Sequence, residues 1–250
     1  MGYYDIIKAT SGLIHYYPMD ETTGTTAYDR GGTSNGTYRN SPALNQAKIK
    51  PNLEGGAVGF TATSSQDVNM GDDSSVEGLT TFSIEAWVTF YTLPNSTKLL
   101  HTIMGKDGSW YMTLYNGLVV DNYMIHCSGN FTDAAHDVLW TPTVNTPYHL
   151  VYTWVAGSNG SNFYVNGALH STATQTSAPH AGTAGLFTIG SFVTNYYQDG
   201  KVQHAAVYNV VLTSAQILQH YQQGISEMAQ INNYQFMNTG GDIGASERIK

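Results

Sequence analysis

Cysteine is almost missing from this 250-residue chain: Cys127 stands alone, so neither an intrachain disulfide nor a cysteine-built metal cluster can form. Arginine is nearly as scarce, with Arg30, Arg39 and Arg248 only, and the cations nowhere form a run. Together with a net charge of −8, this excludes the clustered positive face that nucleic acid demands. Charged residues make up 11% of the chain, too few for helices laced with Glu–Lys pairs. No apolar run approaches membrane-spanning length, so membrane insertion is not expected. The opening MGYYDIIKATSGLIHYY lacks a basic stretch, a long apolar core and a small-residue cleavage site, so no secretion signal is expected.

What is plentiful is glycine (26), tyrosine (18), threonine, serine and asparagine, the make-up of strands joined by polar turns. In Phe82–Phe90 (FSIEAWVTF), Phe82, Ile84, Ala86 and Val88 alternate with Ser83, Glu85, Trp87 and Thr89. That period of two predicts a central strand whose faces meet different surroundings. Tyr148–Val155 and Asn162–Leu169 read as two more strong strands, turning through Gly157–Gly160. Trp110–Tyr115 pairs with Lys98–Lys106 through Asp107-Gly108, and Leu118–Cys127 follows after Asn116-Gly117. With Gly12–Pro18, Gly55–Phe60, Asp67–Met70, Leu186–Ser191 and Lys201–Asn209 there are at least ten strands at short intervals, which predicts an all-β, two-sheet antiparallel sandwich of jelly-roll type. One short C-terminal helix is expected, capped by Thr213 and ending at Gly224. Residues 1–11 read as a lead-in or assembly segment, 12–224 as one domain, and 225–250 as an assembly tail.

Seven segments in order resemble the laminin-G-like, concanavalin-A-like jelly-roll domain. They are GLIHYYPMDETTGTTAYDRGGTSNGTY, GGAVGF, FSIEAWV, YHLVYTWV, NFYVNGAL, LFTIGS and VYNVVLTSAQILQHYQQG, covering Gly12 to Gly224. The resemblance implies ligands at loops on one edge or on the concave face. It implies no single activity, because the fold hosts lectins, glycosidases, adhesion modules and structural parts.

Glycosidases of related jelly rolls need two carboxylates on one strand face. Glu85 has only Ser83, Trp87 and Thr89 beside it, so no catalytic residue is assigned and no enzymatic activity is expected. The family's calcium site draws on acidic residues after G-G-A-φ-x-F and an acidic pair in the closing strand, where this chain has Gln203-His204. No metal or other cofactor is therefore expected; Asp67, Asp72, Asp73 and Asp199 are the alternative oxygen ligands of a calcium ion. The nine histidines show no zinc-site spacing, and His149 is expected to pack or hydrogen-bond internally. A sugar ring stacks on a flat aromatic side chain rimmed by polar groups, so Trp110, Tyr111, Trp140, Tyr196, Tyr197 and Asp199 are the candidate ligand-binding residues. Trp87 and Trp154 read as core.

A fold that works outside cells, on a chain without a visible export signal, predicts a bacteriophage virion protein made in the host cytoplasm. The expected role is that of a non-enzymatic head decoration, fibre or tail-associated subunit. Its partners would be other virion proteins, copies of itself and a host-surface glycan. A free carbohydrate-binding module or lectin is the alternative, and a glycosidase stands third.

Overall fold

The computed structural model describes residues 2–95, 100–116, 123–128, 136–155, 160–174, 185–192 and 196–225. In chain order the elements are α1 (Tyr3–Ala9), β1 (Leu13–Tyr17), β2 (Thr26–Ala27), β3 (Gly36–Arg39), β4 (Ala43–Gln46), β5 (Ala57–Phe60), β6 (Asp67–Gly71) and β7 (Thr81–Phe90). There follow β8 (Leu100–Lys106), β9 (Trp110–Asn116), β10 (Tyr123–Ser128), β11 (His136–Leu139), β12 (Tyr148–Val155), β13 (Ser161–Val165), β14 (Ala168–Ala173), β15 (Phe187–Ile189), β16 (Gly200–Tyr208) and α2 (Ser214–Ile225). The strands form two antiparallel sheets in a jelly-roll sandwich. The first runs β14-β13-β12-β7-β16-β5-β4, with β1 also on β16, and the second runs β11-β10-β9-β8-β15-β6-β3-β2.

Strand β7 sits at the middle of the first sheet, and its alternation has a cause on each side. Phe82, Ile84, Ala86, Val88 and Phe90 enter the core between the sheets, each large side chain contributing about 1.5–3 kcal/mol by burial. Trp87 enters a second core, in which Tyr3, Ile6 and Ile7 of α1 and Ile217 of α2 cover the outer face of that sheet. The N-terminal segment is thus a helix packed on its own domain, where the sequence marks only a lead-in; at seven residues it is held by tertiary burial rather than by its own propensity. Gly224 of α2 lies so near Trp87 that an added Cβ would stand 2.3 Å from the indole Cζ2. Thr213 caps α2 as expected: Gln216 N–H donates to its Oγ1 at 3.2 Å, and Gln216 Oε1 accepts from Thr213 N–H at 2.9 Å.

The third strong strand is two strands. Asn166 and Gly167 both have positive φ (53° and 79°), a tight turn that folds Ala168–Ala173 back on Ser161–Val165. Between β1 and β5 the short strands β2 and β3, beside Tyr28 and Tyr38, and then β4 add to the sheet edges. The turns expected at Asn116-Gly117 and Gly157–Gly160 lie wholly or in part outside the described residues, as does the expected tail beyond Ile225. Among the described residues no helix is long and apolar enough to cross a membrane.

Candidate functional site

Strand β9 alternates without a break. Trp110, Met112 and Leu114 enter the core between the sheets, so Tyr111, Thr113 and Tyr115 face the other way. On neighbouring β8, Leu100 pairs with Tyr115 and Thr102 with Thr113, two rungs that floor a pocket on the outer face of the second sheet. A register shift between Thr102 and Met104 returns Ile103 and Met104 to the core. Phe192 and Tyr196, from the segment after β15, wall the pocket. The Phe192 ring lies 4.6 Å from that of Tyr111 at 44°. That approach is open because Gly105 has no side chain: a Cβ there would stand 2.9 Å from Tyr111 Cβ and 3.0 Å from Phe192 Cδ2. The cavity measures about 330 Å³, within the range of small-ligand pockets. Aromatic faces carrying tyrosine hydroxyls can stack on the C–H face of a sugar and bond its hydroxyls. Thr102 Oγ1 donates to Thr113 Oγ1 across the floor at 3.3 Å.

Of the expected ligand residues, Tyr111 and Tyr196 meet in this pocket. Trp110 does not: it is a fully buried strand residue whose indole N–H donates to Val76 carbonyl at 2.8 Å. The one-residue step from Trp110 to Tyr111 decides which side of the sheet each ring occupies. Trp140 is half-buried, 4.9 Å edge-on to Tyr148 and against Phe163, and belongs to the rim of the core. Tyr197 and Asp199 do not line the pocket; Asp199 Oδ2 accepts from Thr92 Oγ1 at 2.6 Å. Thr102, Thr113, Tyr115 and Phe192 escaped the sequence reading, although the alternation in WYMTLY already places Tyr111, Thr113 and Tyr115 on one face.

The alternative calcium ligands are engaged elsewhere. Asp67, fully buried, accepts from Arg39 Nε at 2.6 Å and also from Arg39 Nη2 and Ser191 Oγ. Asp72 Oδ1 lies 2.6 Å from the buried Lys106 ammonium, and Asp73 Oδ1 accepts from Ser75 Oγ at 2.6 Å. Among the described residues no three His, Cys, Asp or Glu side chains converge as metal ligands, so Asp67, Asp72, Asp73 and Asp199 are not assembled into a site.

Glu85 is paired through space. It is fully buried, with His149 Nε2 2.9 Å from Oε2, His220 Nδ1 3.1 Å from both oxygens, and the Tyr208 hydroxyl donating to Oε1. Burial alone would raise its carboxyl; the His220 charge and the hydrogen bonds of both histidines outweigh that and hold it well below the usual carboxylate range. Burial pulls His149 below its ordinary value, whereas for His220 the Glu85 charge overcomes burial and raises it. The result is a buried Glu85–His220 ion pair with a neutral His149 donating to it. Closed off from solvent, it holds α2 to the sheet and has no access to a ligand.

Asp29, His15 and Ser75 line up as in a hydrolase triad, with His15 Nδ1 2.7 Å from Asp29 Oδ2 and His15 Nε2 2.7 Å from Ser75 Oγ. The Ser75 hydroxyl, however, donates to Asp73 Oδ1 at 2.6 Å rather than to the imidazole, and Asp73 Oδ2 lies 3.3 Å from His15 Nε2. Asp29 also accepts the backbone N–H groups of Tyr16, Gly31, Gly32 and Ser34, so the trio clamps the turn after β2 to β1.

Residues 61–218 match a family described as the concanavalin A-like lectin/glucanases superfamily. No curated protein matches the chain in sequence. Among solved structures it is similar to a Trypanosoma rangeli sialidase in complex with sialic acid (16% identity, TM-score 0.61), over 86% of this chain and 33% of that one. It is similar to domain 4 of AbnA, an extracellular GH43 arabinanase from Geobacillus stearothermophilus, in complex with arabinotriose (16% identity, TM-score 0.55), over 84% of this chain and 98% of that one. It also resembles a botulinum neurotoxin type C that depends on two ganglioside molecules to enter cells (12% identity, TM-score 0.58), over 86% of this chain and 52% of that one. At these identities the likeness is one of fold, and the chain spans about a third of the length of the sialidases it matches. The expectation of a protein with no enzymatic role is corrected here: its fold neighbours are sialidases and a domain of an arabinanase.

Proposed function

Since this chain belongs to the concanavalin A-like lectin/glucanases superfamily, we propose that it is a glycan-binding domain that works with or within a glycan-cleaving protein, holding the sugar in the β8–β9 pocket. The observation that carries this reading is the outer face of β9, which presents Tyr111, Thr113 and Tyr115 under Phe192 and Tyr196 in a cavity of about 330 Å³. Rings supply the stacking surface and the tyrosine hydroxyls supply hydrogen-bond partners, while Thr102 and Thr113, buried and bonded to each other, shape the floor. Support from likeness comes from the arabinanase domain, which is about the size of this chain and holds arabinotriose. The virion setting expected from the sequence rests on the sequence argument alone and is not needed for this reading.

The test is a glycan array probed with the full chain, followed by titration calorimetry with the best binder. Binding of at least one oligosaccharide, weakened about tenfold by Tyr196→Ala, is the expected result. An array without a binder, or binding indifferent to Tyr111→Ala and Tyr196→Ala alike, contradicts it.

A further inference from the structure

We propose that the pocket takes a neutral sugar, one or two rings at the end of a glycan, and rejects sialic acid and other acidic sugars. This rests on the glycan-binding reading of the same pocket and adds the chemical class of the ligand.

Every described lining side chain is uncharged: leucine, threonine, tyrosine or phenylalanine. A sugar carboxylate taken out of water needs an arginine fork, an ammonium or a nest of N–H donors, and without one its desolvation opposes binding. Aromatic faces carry the negative part of the ring quadrupole, which repels an anion stacked on them and welcomes polarised C–H groups. The described cation on the pocket's own strands is Lys106, fully buried and bound to Asp72 and Glu77 at 2.6 Å each. Arg39 is likewise committed to Asp67. The chain's net charge of −8 adds a long-range repulsion of anions. The volume, about 330 Å³, lies near the lower end for ligand pockets and suits a chain end better than a long stretch of polysaccharide.

The experiment uses the full chain on an array holding matched pairs, such as lactose and 3′-sialyllactose, together with neutral arabino-, gluco- and galacto-oligosaccharides. Hits are then titrated at low and high salt. The expected result is binding of neutral glycans, at least tenfold weaker binding of any sialylated counterpart, and an affinity that changes less than twofold with salt. Tyr196→Ala should weaken binding about tenfold, and Lys98→Ala, a cation two residues before Leu100 in sequence, should leave it unchanged. Binding confined to sialylated or uronic-acid glycans and lost in Tyr196→Ala overturns the neutral-sugar inference while leaving the glycan pocket standing. Loss of binding in Lys98→Ala overturns it as well. An array with no binder at all overturns the glycan reading and this inference with it.

Discussion

His220, on the C-terminal helix, sets its Nδ1 3.1 Å from both carboxylate oxygens of Glu85 at the centre of the first sheet. Its other ring nitrogen meets Thr10 Oγ1 at 3.0 Å, so one imidazole ties both helices to β7. Removing one partner of a buried pair leaves an uncompensated charge, and His220→Ala should cost about 3–5 kcal/mol of stability. Urea unfolding of the two proteins measures this; a loss below about 1 kcal/mol would mean the pair does not hold the helices.

The buried histidines make acid the vulnerable side. Burial lowers His204 to about 3 and His136 to about 4, against 6.5 when free, and lowers His149 in the same direction. For each, the unfolded chain takes up a proton at a pH where the folded one does not. Their stabilising contribution is therefore present above about 6.5 and is lost as pH falls through the folded values. Glu85, lowered in the fold, adds a loss that begins below its free value of 4.5. His220 is raised and acts oppositely: its contribution is full below 6.5 and fades as pH climbs through its folded value. Between pH 6.5 and 4 the His220 contribution is constant and the three lowered histidines act unopposed, so unfolding midpoints should fall steadily across that window. His136→Asn should flatten the slope, and a slope unchanged by it would reject this assignment.

Trp110 and Tyr196 should separate stability from binding. Trp110→Ala empties a fully buried site and should cost about 3–5 kcal/mol. Tyr196 is half-exposed, and Tyr196→Ala should stay within about 1 kcal/mol of the parent. Thermal unfolding of both variants decides it.

Gly224 should tolerate no side chain. A Cβ would sit 2.3 Å from Trp87 Cζ2, so Gly224→Ala should lower stability by about 1–3 kcal/mol and shift the tryptophan emission, despite alanine's better helix propensity. A more stable Gly224→Ala protein would show that α2 is free to move off the sheet.

The strands that were legible in the sequence are those with opposed environments on their two faces. Phe82–Phe90 reads as a strand because one face enters the inter-sheet core while the other lies under helices. The cap of α2 was legible because Thr213 and Gln216 sit at capping-box spacing. Helix α1 was not, since its burial comes from Trp87 and the covering of the first sheet, which local pattern does not carry. Glu85 read as a lone charge because its partners are 64 and 135 residues away. The pocket was half legible: abundant tyrosine pointed to Tyr111 and Tyr196, while Thr102, Thr113 and Phe192 join them only through the β8–β9 register and the bare Gly105. Trp110 misled because a ring beside a turn glycine looks exposed until the register of β9 is known.

The most direct test of the central claim is glycan affinity and unfolding midpoint measured on the same samples of the parent chain, Tyr111→Ala and Tyr196→Ala. The pocket account predicts that Tyr196→Ala loses about tenfold in affinity with its midpoint nearly unchanged, and that Tyr111→Ala loses at least as much affinity. Full affinity in both variants, for every glycan the parent binds, would contradict it.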